Sequence, residues 1–226
     1  MITIENVETC GWEPALRGMR NPKNSWSRSD TLFFNTSQGH IQKLTDPCAP
    51  YEFLEFMELG PNDLALSTTL ALAGPVHAKY RRMIKVYCDI TAPLYWWKEF
   101  DTYKVGTNAN SCSTMHTIHK RDLTLDDFAH DRLTECNRNL LELVIKNINE
   151  ARREFVEAAT AADAKEAWWQ MIQLLPSSFL QRRTVEMNYE VLSNMYSFRK
   201  NHKQDEWREF CRWIETLPYA KELILT

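Results

Sequence analysis

A chain of 226 residues with 44% hydrophobic and 25% charged residues can bury a core, and its six Gly and nine Pro exclude a low-complexity or collagen-like chain. The net charge of −3 gives no electrostatic reason to expect nucleic acid or a membrane as partner. The start, MITIENVETC, lacks the basic residues and apolar run of a secretory signal, and no stretch reaches the ~20 apolar residues that span a bilayer. A cytoplasmic protein is therefore expected, with its six cysteines as reduced thiols. Their positions (10, 48, 88, 112, 136, 211) contain no C-x-x-C pair, so no zinc ribbon or thioredoxin-like site is signalled.

Residues 1–60 pair a short alternating start (Ile2, Ile4, Val7) with turn-rich segments such as RNPKNSWSRSD, and read as an irregular amino-terminal part. After GPND a helix is expected over LALSTTLALA, stopped by Gly74-Pro75. In RRMIKVYCDITAP the apolar Ile84, Val86, Cys88 and Ile90 alternate with Lys85, Tyr87 and Asp89, the period of a half-buried strand. Pro93 suits the first turn of a new helix, PLYWWKEFDTYKV, with Leu94, Trp97 and Phe100 on one side.

That helix leads into TYKVGTNANSCSTMHTIH, where small polar residues crowd together. Cys112 stands near His116 and His119, and His130 or Cys136 could complete a zinc set, but the spacing matches no established pattern and no metal site is assigned. Nucleophilic use of Cys112 needs a base such as His116 or His119; the alternative is an ordinary small thiol.

Residues 124–175 read as a helical part. Thr124 offers an N-cap with Asp127 three residues on, and Leu133, Leu140, Leu141, Val144, Ile148 and Phe155 share one face. Thr160 repeats the cap signal before AKEAWWQMIQLL, which Pro176 ends. SSFLQRRTVEMNYEVLSNMYSFRK is either one long helix or a polar edge strand followed by a helix. Asn188 is a good cap, and Phe179, Thr184 and Val185 suit a strand, so strand then helix is expected. Trp207, Phe210, Cys211 and Ile214 mark a last helix. Arg81-Arg82 and Arg182-Arg183 read as solvated strand ends. There is no G-x-G-x-x-G after a strand, no Walker loop, no G-x-S-x-G and no H-E-x-x-H.

Two segments, HAKYRRMIKVYCDITAPLYWWKEFDTYKVGTNANSCST and LLPSSFLQRRTVEMNYEVLSNMYSFRKNH, together resemble the flavin-dependent thymidylate synthase family. The family shows a His, a strand, an A-P step, a helix and the signature R-H-R-x-x-S-x-N-E-x-S-x-R. With Ala92-Pro93 laid on the A-P step, the signature falls without a gap on residues 102–114. In the second segment Leu175, Pro176, Asn188, Asn194 and Arg199 match the family's spacing. The resemblance covers roughly residues 61–217 and implies a single α+β domain over 1–226, with a central, largely antiparallel sheet flanked by helices and a helix-rich second half.

By that resemblance His77, Asn188 and Asn194 hold FAD and Arg199 meets a pyrimidine nucleotide. The R-H-R positions read Thr102, Tyr103 and Lys104, and the Gln that precedes them is Glu99. The rest of the signature reads Thr107, Ala109, Asn110, Cys112 and Thr114, so Asn110, Ser111, Cys112, Ser113 and Thr114 stand where substrate is bound. A second nucleotide Arg is replaced within WWQMIQ. Each lost charge-assisted contact removes about 2 kcal/mol of phosphate binding. The implied activity is methyl transfer to dUMP or a relative, with reduced FAD, methylenetetrahydrofolate and NADPH, in a homotetramer. Cys112, a catalytic candidate that adds to the pyrimidine ring, has no place in the family's scheme. A binding or scaffold protein on the same fold is the alternative. Trp96, Trp97, Trp168 and Trp169 suit either an interface or a core.

Overall fold

The computed structural model describes residues 2–33 and 57–226. Its contacts cluster into two compact units. One comprises Thr91–Thr102 and Asn110–Arg183 with the first residues of the chain; the other comprises the described residues of Ile4–Ile90, with Tyr103–Ala109 and Thr184–Thr226. The elements make an α+β fold with an antiparallel sheet flanked by helices.

Four strands form the main sheet: β1 (Thr3–Cys10), β4 (Lys85–Pro93), β5 (Asn108–Ser111) and β6 (Leu180–Asn188), in the order β1-β4-β6-β5. A two-stranded antiparallel ribbon joins β2 (Leu32–Phe33) to β3 (Met57–Glu58), with Phe33 opposite Met57. The alternation in β4 is realised: Val86, Cys88, Ile90 and Ala92 are buried, and burial pushes the Cys88 thiol up to about 12. Strand β6 is interior to the sheet, so the expectation of an edge strand is corrected; on its polar side Arg182 and Thr184 are exposed, Thr184 donates to Asp89 at 2.6 Å and Glu186 pairs with Lys85. The turn-rich amino-terminal part holds β1 and helix α1 (Trp12–Arg20), and the segment 34–56 lies outside the described residues.

In the larger unit, helix α2 (Pro61–Leu72) starts with Pro at its first turn and stops before Gly74, close to expectation. Its Asp63 is fully buried and ties the amino-terminal part together. One carboxylate oxygen accepts the Nε of Arg20 at 2.6 Å, and the other accepts the hydroxyls of Ser29 and Thr31 at 2.7 Å each and two backbone N–H groups. Burial pushes this carboxyl up, yet the donors from Thr31, Ser29, Arg20 and the Asp30 backbone outweigh it and hold it below its ordinary value. Its stabilisation is therefore complete above the unfolded carboxyl's value of about 4 and is lost as pH falls through the lower folded value. The gap in urea midpoint between wild type and Asp63→Asn is expected to shrink between pH 7 and pH 3; a constant gap would contradict the shift.

Arg81 corrects the reading of solvated strand ends. It is buried, pairs with Glu190 at 2.9 Å and donates to the Leu223 carbonyl at 3.0 Å. Helices α7 (Tyr189–Arg199) and α8 (Asp205–Ile214) follow β6, and a short α9 (Ala220–Leu223) comes last. Asn188 caps α7 as expected, accepting from the Val191 N–H at 3.0 Å. Trp207, Phe210, Cys211 and Ile214 form the buried stripe of α8, where burial, with Glu215 adding to it, pushes the Cys211 thiol up to about 11.

In the other unit, helix α3 (Leu94–Phe100) ends at Phe100, short of the expected Val105, and buries Trp96 and Trp97. Trp169 is partly exposed, so the pairs of tryptophans divide between core and surface. A short α4 (Thr114–Thr117) follows β5. Thr124 and Asp127 do form a capping box, but it closes a single 3-10 turn, and helix α5 (Glu135–Glu157) begins only after Thr134, which accepts from the Asn137 N–H. The buried face is narrower than the expected stripe. Leu141, Ile145, Ile148 and Ala151 pack with Met171 of α6 (Ala161–Leu174) and with Phe128, whereas Leu140 is 60% exposed and Leu133 precedes the helix. Thr160 caps α6 through the Asp163 N–H, as its sequence predicts.

Candidate functional site

A cleft of about 860 Å³ opens in the larger unit, within the range of about 300–1,000 Å³ usual for small-molecule sites. One wall comes from the start of α7, where Asn188, Val191 and Asn194 project from β6 and the first turns of the helix. Facing residues come from the end of α2, with Gly74 and Pro75, and from the loop holding Val105 and Gly106. Arg82 and Lys85 supply positive charge. Lys85 also pairs with Glu186 at 2.7 Å, which holds its amine at the start of β4.

Asn188 does two jobs at once. Its side-chain oxygen caps α7, and its Nδ2 donates to the Gly106 carbonyl at 3.4 Å. Gly106 has φ +85, and an added Cβ there would stand 2.7 Å from the same Nδ2. The loop therefore approaches Asn188 as closely as a glycine permits. The buried Arg81–Glu190 pair, with Arg81 also 3.3 Å from the Ser193 hydroxyl, fixes the wall behind it. Asn194 is exposed in the cleft, whereas His77 is exposed on the loop after α2 and is absent from the lining.

Arg199 stands apart from this cleft in an aromatic box. Its Nε donates to the Tyr103 hydroxyl at 2.8 Å, its guanidinium lies 4.6 Å over Trp207, and its Nη1 meets His202 at 3.1 Å. Cation–π contact and hydrogen bonds thus bring two sequence candidates, Tyr103 and Arg199, together. Lys104 is exposed, as is Thr102, whose hydroxyl donates to the Glu99 carbonyl at 2.7 Å.

The remaining candidates lie in the other unit. Asn110 and Ser111 are exposed on β5, and Cys112 follows with its N–H donating to the Arg182 carbonyl at 2.9 Å. The Cys112 thiol is exposed, and no hydrogen bond joins it to a described residue. Its neighbourhood holds two cavities, of about 480 and 430 Å³. Cys112, Thr117, Lys120 and Arg182 line the larger; Ser111, Ser113 and Met115 line the smaller; Thr114 and Gln181 belong to both. Among the described residues no group of three or more His, Cys, Asp or Glu side chains is placed to hold a metal ion. His119 instead packs on Phe155, with ring centres 4.7 Å apart. Among the described residues no helix is long and apolar enough to cross a membrane.

Three residues of these walls escape sequence reasoning. Arg82 and Lys85 look like ordinary charges flanking a strand, and Gln181 carries no motif. The only signal available was the placement of Lys85 on the polar side of the alternating strand, which aims it away from the core.

The fold is the one found in flavin-dependent thymidylate synthases. Two crystal structures of thymidylate synthase ThyX from Helicobacter pylori, both with FAD and dUMP, align with TM-scores of 0.62 at 15% and 13% identity. The first alignment covers 99% of this chain and 98% of that one, the second 97% of each. The UMP/dUMP methylase PolB from Streptomyces cacaoi, bound with 5-Br dUMP, aligns with a TM-score of 0.57 at 13% identity, over 99% of this chain and 94% of that one. No family model and no curated protein matches the sequence.

Proposed function

We propose that the chain is a divergent flavin-dependent thymidylate synthase-like enzyme that transfers a one-carbon unit to a pyrimidine deoxynucleotide, dUMP or a relative. Reduced FAD, methylenetetrahydrofolate and NADPH complete the proposed reaction, and a cytoplasmic homotetramer is its proposed setting. The observation that carries the reading is the cleft, where Arg81, Arg82, Lys85 and the carboxamides of Asn188 and Asn194 line one cavity. That donor set fits a phosphate-bearing cofactor: Arg82 offers a fork and Lys85 a point charge to phosphate oxygens, and Asn194 offers amide hydrogen bonds. A bound reduced flavin would supply the hydride that completes the methyl group. The protein's own part is to orient. Arg81 and Glu190 keep the α7 wall fixed, Asn188 holds the Gly106 loop, and the cations of the cleft attract the cofactor's negative charge.

One observation favours the alternative, a flavin- or nucleotide-binding scaffold without catalysis. Arg199, the residue that the resemblance gives to the nucleotide, is already held by Tyr103, Trp207 and His202. Titration with FAD, followed by flavin absorbance, separates the readings from a protein that binds neither ligand. Micromolar uptake of FAD and formation of a methylated pyrimidine nucleotide, detected by mass spectrometry, are expected. Uptake without product supports the scaffold; absence of FAD uptake overturns the enzyme, and absence of both FAD and dUMP uptake overturns the scaffold as well. The Cys112→Ser variant is expected to keep FAD affinity within twofold, since the thiol lies outside the cleft lining.

A further inference from the structure

The Cys112–Thr114 corner is tied to β6 by two kinds of bond. One is the backbone bond from the Cys112 N–H to the Arg182 carbonyl at 2.9 Å. The other comes from the Gln181 side chain, whose Nε2 donates to the Cys112 carbonyl at 3.1 Å and reaches the Thr114 hydroxyl at 3.4 Å. The orientation of this carboxamide is fixed chemically. The Nε of Arg183 can only donate, and it meets the Gln181 Oε1 at 3.0 Å. A carbonyl can only accept, so the NH₂ end must face Cys112.

Arg183 is itself held in place. Its guanidinium lies 4.2 Å over the Trp97 ring, and its Nη1 donates to Asp101 at 2.7 Å. Trp97 in turn donates from its ring nitrogen to the Gln181 carbonyl at 2.9 Å. Asp101, Arg183, Trp97 and Gln181 thus make one connected set ending on the corner. Gln181 and Thr114 also form a shared wall of the two cavities there, so movement of this amide would reshape both.

We propose that Gln181 is the positioning residue of the Cys112–Thr114 corner and that it holds the corner in the conformation that meets the substrate nucleotide. This rests on the reading of the corner as part of a nucleotide site. Gln181 makes no claim on the reacting atoms; both ends of its amide are already used. It acts through the backbone of Cys112 and the hydroxyl of Thr114.

Gln181→Glu keeps the size and the acceptor for Arg183 but turns a carboxylate oxygen toward the Cys112 carbonyl. Gln181→Met keeps the length and removes both polar ends. Hydrogen exchange of residues 111–117, dUMP affinity by calorimetry, FAD affinity and melting temperature are measured on the full chain. In both variants exchange at the corner is expected to quicken at least tenfold and dUMP affinity to fall at least tenfold. FAD affinity should stay within twofold, and Arg183→Met should shift exchange in the same direction. A residue that merely supports the fold would instead lower melting temperature and FAD affinity together with dUMP affinity, which overturns the proposal. Unchanged exchange at the corner overturns it, as does faster exchange with unaltered dUMP affinity. Wild-type protein that takes up no dUMP sinks the nucleotide reading and the substrate half of this proposal, while the exchange measurement still decides whether Gln181 holds the corner.

Discussion

Asp63→Ala is expected to lower the unfolding free energy by about 3–5 kcal/mol, because it leaves the guanidinium of Arg20 buried without a counter-charge. The pair is among the most enclosed in the protein, with the Arg20 side chain 4% and the Asp63 side chain 0% exposed. Many buried ion pairs can be replaced by apolar residues at little cost. This one should resist such replacement. Besides Arg20, Asp63 accepts the hydroxyls of Ser29 and Thr31 and the N–H groups of Asp30 and Thr31, and all four donors would lose their acceptor together. The double variant Arg20→Leu, Asp63→Leu should therefore recover less than half of the loss in urea denaturation. Full recovery would show that the charge pair alone matters and that the turn after α1 finds other partners.

Gly106→Ala is expected to weaken FAD binding at least tenfold. A non-glycine residue at φ +85 costs about 1–2 kcal/mol, and the new Cβ would force the Asn188 amide aside. In a chain of this length, strain of that size lowers the melting temperature by only about 2–4 °C per kcal/mol. Loss of affinity should thus exceed what the loss of stability explains. Asn188→Ser separates the two roles of Asn188. A serine oxygen caps a helix about as well as asparagine, but it cannot reach the Gly106 carbonyl. Stability within about 1 kcal/mol of wild type, with FAD affinity reduced, is the expected result. Equal affinity in both variants and wild type would remove the Gly106 loop from the site.

Local signals survived the passage from sequence to structure, and distant pairings did not. The caps at Thr160 and Asn188 were legible because a capping bond closes within three residues. The alternation of β4 was legible for the same reason, since its buried residues lie on one face of one strand. Thr124 shows the limit: the cap is real, yet a capping box fixes one turn and says nothing of how far a helix continues. Leu140 was misplaced because it sits about 100° round the helix from Leu141, off the stripe of Leu141, Ile145 and Ile148 that packs with Met171. Arg81 and Arg183 looked like solvated charges because their partners are remote in sequence: Glu190 for one, the Trp97 ring and Asp101 for the other. The same limit hid the cleft, whose cations and amides come from segments about a hundred residues apart.

The double use of Asn188 couples the wall of the cleft to a helix end. Its oxygen nucleates α7 while its nitrogen pins the Gly106 loop, so any outward swing of this side chain frays the first turn of a helix. The wall of the cleft and the start of α7 are thus one cooperative unit, and the wall keeps its shape without any ligand to hold it. Exchange of the Val191 amide, the N–H that Asn188 accepts, becomes a direct gauge of how often that surface comes apart.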